Sequence, residues 1–429
     1  MALLLMLLIS CAGAALADAS RITLREPGQQ TIPLALTRFL PLDGVERPDL
    51  AAEVAITLRS DFDLSGIFTL IDSATFLSDA GRIGLTSTAV DFSQWRLLSA
   101  ESVIKGAYRL DGEELTLEAR LYDVTGRRLL AGRRYRGRPQ DARRMAHAFA
   151  DLVLQSLSGR AGAFNTRLAY ISDQTGHKEL YLMETDGRDP IQITNHRSLV
   201  LNPDFSPLGR EVIFTSYRDD NPDLYRKEIY TGFEAKISHR LGLNIAGRFR
   251  ADGGELAVSL SHDGNSELYL LSPSGVLRKR LTDNWAIDVD PSWSPGGDRL
   301  AFVSDRRGNP HVFILDIPTG KVERLTFDGK YNVTPAWSPV SDRIAFSRLE
   351  NGKFDIYTVR SDGGDERRIT DGPGNKEHPR WSPDGRFLVY SSDASGEKAI
   401  HVMRADGSGD RRLTPPGANY SHPAWSPRW

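Results

Sequence analysis

The apolar positions divide the chain into two regions with different periods. From residue 167 onward, short runs of β-branched and aromatic residues alternate with turn signals such as Thr319-Gly320, Asp362-Gly363, Asp384-Gly385 and Asp406-Gly407. That is the pattern of strands joined by tight turns. The runs also repeat. Pro203-Asp204-Phe205-Ser206-Pro207 returns as Pro291-Ser292-Trp293-Ser294-Pro295, as Pro335-Ala336-Trp337-Ser338-Pro339, as Pro379-Arg380-Trp381-Ser382-Pro383 and as Pro423-Ala424-Trp425-Ser426-Pro427. Phe249, in the degenerate Gly247-Arg248-Phe249-Arg250, fills the gap, so the interval is 44 residues throughout. Stripes beginning at Tyr170, Tyr181 and Thr194 keep the same interval. Six units of four short strands predict an all-β six-bladed β-propeller over residues 161–429. The first unit lacks a strand ahead of Arg167-Leu168-Ala169-Tyr170, and the last unit is followed by an extra one. The C-terminal strand is therefore expected to become the inner strand of the first blade and close the ring, which removes two open sheet edges. The aromatic stripes read as core between blades and are assigned no chemistry.

Residues 18–160 lack this repeat and predict a separate α/β domain. Thr31 to Leu40 reads as a strand, and Leu50, Val54, Leu58 and Phe62 form the stripe of an amphipathic helix. Phe68 to Ile71 predicts a second strand and Asp91 to Ala100 a helix. Val103 to Leu110, Glu114 to Val124 and Arg128 to Tyr135 alternate around Asp111-Gly112 and Thr125-Gly126 turns, and Met145, Phe149, Val153 and Leu157 mark a closing helix. The order βαβαβββα implies a mixed sheet with helices packed on it, and Ser158 to Gly162 is the expected hinge.

The first 17 residues, MALLLMLLISCAGAALA, are apolar and end in Ala15-Leu16-Ala17 before Asp18. They read as a cleaved signal peptide, which places the mature protein outside the cytoplasm. Acylation at Cys11 is the weaker reading, because apolar residues continue past it. Behind the signal, residues 18–30 alternate Arg21, Thr23 and Arg25 with Ile22 and Leu24 before Glu26-Pro27-Gly28 breaks the pattern. This segment reads either as the first strand of the small domain or as a detachable arm able to pair with a partner's sheet.

Charge and composition then exclude several function classes. Among 429 residues, 54 Lys plus Arg against 56 Asp plus Glu leave a net charge of -2, with no global field toward nucleic acid or anionic lipid. One cysteine excludes an intrachain disulfide framework and thiolate metal clusters. Eight arginines fall between Arg127 and Arg144, read as a solvated hairpin face rather than a nucleic-acid patch. Nine histidines include no metal-spaced pair, although His378 and His422 occupy equivalent positions in adjacent blades and are expected to face each other near one mouth of the channel. Asp219-Asp220-Asn221-Pro222-Asp223 lacks the glycine of a calcium loop and reads as a turn. No nucleophile elbow or phosphate loop occurs, so no catalytic set, metal or cofactor is expected. Residues ahead of each Pro-x-aromatic strand, Asn202, Asn244, Asp288, Asp290, Thr334, His378 and His422, are expected to ring one opening.

The combination of signal segment, small α/β domain, the junction Gly162-Ala163-Phe164-Asn165-Thr166-Arg167-Leu168-Ala169-Tyr170 and six Trp-Ser-Pro type repeats resembles the TolB family of Tol-Pal propeller proteins. The resemblance implies a monomeric, non-enzymatic periplasmic adaptor without stable membrane insertion, which serves outer-membrane integrity and constriction at division. It implies two partners: the peptidoglycan-associated lipoprotein Pal, bound at a propeller mouth, and TolA, engaged by an amino-terminal arm whose position corresponds to Arg21, Ile22, Thr23 and Leu24. The rival readings are a propeller enzyme resembling polysaccharide lyases, which would need a metal or basic cluster at the channel, and a carbohydrate-binding module, which would need exposed aromatics.

Overall fold

The structure, a computed structural model, describes residues 31–428. The signal peptide, Cys11 and the Arg21 to Leu24 arm lie outside the described residues. The amino-terminal domain runs β1 (Ile32–Leu36), β2 (Leu40–Pro41), α1 (Pro48–Ser65), β3 (Phe68–Leu70), α2 (Phe92–Leu97), β4 (Ser102–Asp111), β5 (Glu114–Asp123), β6 (Arg128–Gly137) and α3 (Ala142–Ser158). The sheet order is β3-β1-β4-β5-β6, with β2 also on β4. It is mixed: β1 lies parallel to β3 and β4, and β4, β5 and β6 form an antiparallel meander. The helical stripe on α1 and the Met145 to Leu157 stripe on α3 are buried together against one face. Phe92 and Trp95 of α2 cover Val103 and Tyr122 on the other. The single strand expected over Thr31 to Leu40 is broken in two. Both the Thr37 amide and its hydroxyl donate to the Ile104 carbonyl, at 3.1 and 2.9 Å, so the chain leaves the ladder there and rejoins β4 at Ala107.

The second region is a six-bladed propeller of four-stranded antiparallel sheets. Its first blade contains β7 (Arg167–Ser172), β8 (Glu179–Glu184) and β9 (Ile191–Gln192). The inner strand of that blade is the final strand Tyr420–Trp425, which pairs with β7 from Tyr420 opposite Ser172 to Trp425 opposite Leu168. Ring closure by the chain's own C-terminal strand is thus as expected. The stripes are core. Tyr170 stacks on Tyr181, Phe214 on Tyr225 and Phe346 on Tyr357 across neighbouring strands. Trp293 and Trp381 donate through Nε1 to the Arg248 and Ala336 carbonyls of the preceding blades, at 3.0 and 2.9 Å. The threonine stripe serves geometry: Thr194, Thr282, Thr326, Thr370 and Thr414 accept through Oγ1 from backbone amides of the neighbouring strand.

The two regions share one core, because Phe164, Phe387 and Val402 are buried with the α1 and α3 stripes. The expected hinge is pinned on both sides. Asp151 of α3 accepts the Phe164 and Asn165 amides at 2.9 and 3.0 Å, and the Arg428 guanidinium donates to the Ala161 and Gly162 carbonyls. Arg404 donates to the Asp63 and Leu64 carbonyls at the end of α1, and Arg411 pairs with Asp63. These contacts all come from one end of the propeller, leaving the other end uncovered by the amino-terminal domain. Of the eight arginines in residues 127–144, all but Arg143 are exposed, as expected of a solvated face, with Arg134 pairing with Glu118 and Arg128 with Asp123; Arg143 is half-buried against Glu184 and Asp186 of the first blade.

Candidate functional site: the channel and its free mouth

Every inner strand carries the same irregularity. Pairing with the next strand shifts register at Leu201/Asp204, Ile245/Arg248, Val289/Ser292, Val333/Ala336, Glu377/Arg380 and Ser421/Ala424. Each shift contains a residue with φ between 48° and 58°: Asn202, Ala246, Asp290, Thr334, His378 and His422. The residue that follows is proline in five blades and Gly247 in the other. A proline cannot donate to the ladder, so it sits at a bulge, and the left-handed residue before it lets the strand resume. Such a conformation costs a non-glycine residue on the order of 1 kcal/mol, least for Asn and Asp. It recurs in all six blades, and in two neighbouring ones it brings the His378 and His422 rings together.

This geometry corrects the expected ring. The predicted residues lie within the inner strands rather than on the loops leading into them. Asn202, Asp290, Thr334, His378 and His422 share one tier, which Ala246 completes. Asn244 and Asp288 fall two residues earlier, at the strand starts, with fully buried side chains. They fix the incoming loops. Asn244 donates through Nδ2 to the Arg240 and Gly242 carbonyls at 2.7 and 3.1 Å and accepts the Arg240 amide at 3.0 Å. Asp288 accepts from Asn284 at 2.9 Å and from Arg306 at 2.6 Å. Asn332 and Lys376 hold the corresponding loops of the next two blades through the Asp328 and Gly372 carbonyls.

Within the tier the two imidazoles face each other as expected, with ring centroids 4.0 Å apart. Burial first, then the neighbouring imidazole and Arg380, keeps His378 well below the usual histidine range. Burial, with Lys178 and Arg380, brings His422 down to about 3. Both are therefore neutral at pH 7. Asp290 is shifted up by burial, against the pull of Arg248 and Arg380.

A second tier, two residues further along each strand, was not foreseen: Asp204, Arg248, Ser292, Ala336, Arg380 and Ala424. The variable position of Pro-x-aromatic carried the signal, because it recurs at the same 44-residue interval. Asp204 accepts the Phe249 amide of the next blade at 3.1 Å, and Ser292 accepts the Trp337 amide at 2.9 Å. Arg248 and Arg380 donate to the neighbouring Gly247 and Pro379 carbonyls, each at 2.9 Å. Burial and Arg248 pull Arg380 below the usual guanidinium range, against Asp204 and Asp290. The channel is thus polar, with two guanidiniums beside two carboxyls that burial shifts upward and two neutral imidazoles.

Around the mouth away from the amino-terminal domain, the loops anchored by Asn244, Asp288 and Asn332 present large apolar side chains to solvent: Leu241, Trp285, Ile287, Phe327 and Tyr331, with Trp285 76% exposed. These loops belong to consecutive blades. The polar channel is thus bordered on this side by an exposed, partly aromatic arc.

Comparison with known proteins agrees with this organisation. A family model described as the TolB beta propeller domain matches residues 154–429, and one described as the TolB amino-terminal domain matches residues 20–130. The Tol-Pal system protein TolB of Syntrophotalea carbinolica is 60% identical over 209 residues, 49% of this chain and 48% of that protein. Its counterpart from Desulfosudis oleivorans is 38% identical over 246 residues, 57% of this chain and 56% of that protein. The chain spans about half the length of the curated relatives it matches. The crystal structure of TolB from Acinetobacter baumannii shares the fold with a TM-score of 0.81 at 24% identity, over 93% of this chain and 97% of that one. With both domain models matched in order along the chain, and the fold shared from the small domain to the closing strand, the chain belongs to the TolB family.

Proposed function

We propose that this chain is a non-enzymatic periplasmic adaptor of a Tol-Pal system, holding the peptidoglycan-associated lipoprotein Pal at the free propeller mouth and TolA through the arm containing Arg21, Ile22, Thr23 and Leu24. In that role it supports outer-membrane integrity and constriction of the envelope at division. Family membership supports the system, and the observation that carries the mouth is the exposed arc of Trp285, Ile287, Phe327 and Tyr331 around a polar channel. Aromatic side chains on rigid loops supply large contact area at low entropic cost and dominate many interfaces. A protruding loop of Pal seated on the arc would reach the Asp290 and His378 tier. Asn202, Thr334 and His422 complete that tier, and Asn244 and Asp288 act through the loops they hold.

Calorimetric titration of Pal tests the reading. Asp290→Ala and His378→Ala are each expected to weaken binding several-fold, and unchanged affinity in both removes the channel tier from the site. Deleting residues 18–26 is expected to abolish binding of the TolA domain while leaving Pal binding in place. Retained TolA affinity would refute the arm assignment.

A further inference from the structure

Between the two domains, away from the channel, lies the one group of histidine and carboxylate side chains among the described residues whose ligand atoms are close enough to share a metal ion: His147 on α3 with Glu184 and Asp186 at the end of β8 and in the turn after it. Their ligand atoms lie within 4.8 Å of one another. His147 is only 2% exposed, and its two nitrogens differ. Nδ1 lies 2.7 Å from Oδ2 of Asp61 on α1, which orients the ring. Nε2 has no hydrogen-bond partner among the described residues and points at Oδ2 of Asp186, 3.6 Å away. That separation is long for a hydrogen bond. It matches the edge between two ligands of a tetrahedral ion, about 3.4 Å for bonds of about 2.1 Å. Asp186 divides its oxygens accordingly: Oδ1 takes the Arg188 amide at 3.1 Å and Arg143 at 3.3 Å, while Oδ2 faces the imidazole.

We propose that His147, Asp186 and Glu184 bind a divalent transition-metal cation of the zinc type, which ties α3 to the first blade. Asp61 is the positioning residue, holding Nδ1 so that Nε2 presents its lone pair in the carboxylate–histidine–metal arrangement. Charge supports a doubly positive occupant. The connected ion-pair network here sets six carboxylates, Glu53, Asp61, Asp141, Glu184, Asp186 and Asp189, against four guanidiniums, Arg138, Arg143, Arg144 and Arg188, and the His147 ring. With the imidazolium counted one negative charge is left over, and a divalent ion that replaces the Nε2 proton brings the network to neutrality. A mixed nitrogen and oxygen donor set favours zinc and its neighbours over calcium or magnesium. A cavity of about 290 Å³, lined in part by Asp141, Arg144 and Asp189, opens at Glu184 on the edge of the cluster.

The test is calorimetric titration of zinc chloride into the chelator-treated full chain, purified without a histidine tag, with cobalt as a spectroscopic substitute. One equivalent is expected to bind. His147→Gln and Asp186→Asn should each weaken it at least ~10-fold, and Asp61→Asn about 10-fold with the cobalt spectrum retained. His177→Gln, which removes an exposed imidazole outside the cluster, should leave zinc affinity unchanged. Absence of saturable binding, affinity unaffected by both ligand variants, or loss only with His177→Gln would each overturn the site. Should His147→Gln fail to fold, Asp186→Asn decides alone, since its residue lies in a turn. Pal and TolA play no part in the measurement, so it succeeds or fails independently of the adaptor reading.

Discussion

The two ends of the propeller are built from the same repeats and have opposite fates. At one end, Phe387, Val402, Arg386, Arg404 and Arg411 are buried in or bonded to the amino-terminal domain. At the other, the loops leading into the inner strands are equally well fixed, by Asn244, Asp288, Asn332 and Lys376, yet display Leu241, Trp285 and Phe327 to solvent. Rigid loops carrying exposed aromatics are an expense for a solitary protein, since ordering costs entropy that only contacts return. The covered end accounts for stability, and the free end is where the adaptor reading places its occupant.

The sharpest way to break this contrast is to truncate one aromatic at each end. Phe387 is 1% exposed and packs between Phe164 and Trp425, with ring centroids 5.6 and 6.2 Å away. Phe387→Ala is expected to cost about 3–5 kcal/mol in urea unfolding, because it leaves a cavity in the core shared by both domains. Trp285→Ala should change stability by less than about 0.5 kcal/mol. Equal losses from the two would show that the ends do not differ in the way described.

The channel supplies a pH-dependent version of the same comparison. His378 and His422 are held neutral in the folded protein, His422 down to about 3, whereas an unfolded histidine protonates near 6.5. The unfolded state thus binds more protons between about pH 6.5 and 3, so stability should fall as pH is lowered through that window. The double variant His378→Gln/His422→Gln should flatten this limb by about 1–3 kcal/mol, read from urea midpoints at pH 7 and pH 4.5. A limb of unchanged steepness would mean that the imidazoles already take up protons in the channel.

Much of this was legible from periodicity. The 44-residue interval carried blade number, strand number and ring closure, because each blade must fill the same wedge between its neighbours. The helical stripes of α1 and α3 were legible for a similar reason. Side-chain direction was not. Asn244 and Asn202 are both polar residues near the start of an inner strand, and only the bulge, set by the Pro or Gly that follows the left-handed residue, sends one into the channel and the other into its own loop. The pairing of His147 with Asp61 and Asp186 spans α1, α3 and the first blade, and no local spacing records such a contact.

At the free end, Trp285→Ala and Phe327→Ala are expected to weaken Pal binding by about 10-fold each, roughly 1.4 kcal/mol, with melting temperature unchanged. Affinity preserved in both would move the docking surface off the arc and leave the channel tier to be tested alone.

The smallest effects belong to the polar contacts of the covered end, and they separate two arginines that reach the same helix terminus. α1 ends without a basic residue in its last turn, at Gly66 in the left-handed conformation. Arg404 supplies the missing cation from the propeller: Nε donates to the Leu64 carbonyl at 2.8 Å and Nη2 to the Asp63 carbonyl at 2.7 Å. It thus satisfies the Leu64 carbonyl, adds a second donor to the Asp63 carbonyl that the Gly66 amide already reaches at 3.2 Å, and lies at the negative end of the helix dipole. Arg411 pairs mainly with the Asp63 side chain, which is 70% exposed, where solvent screens the attraction. Arg404→Ala should therefore lower stability by about 1 kcal/mol and Arg411→Ala by no more than about 0.5 kcal/mol. Added salt should shrink the Arg411 effect more than the Arg404 effect, since a carbonyl-bonded guanidinium loses little to screening. The reverse order in urea midpoints would mean that the exposed ion pair, rather than the capped helix end, joins the domains.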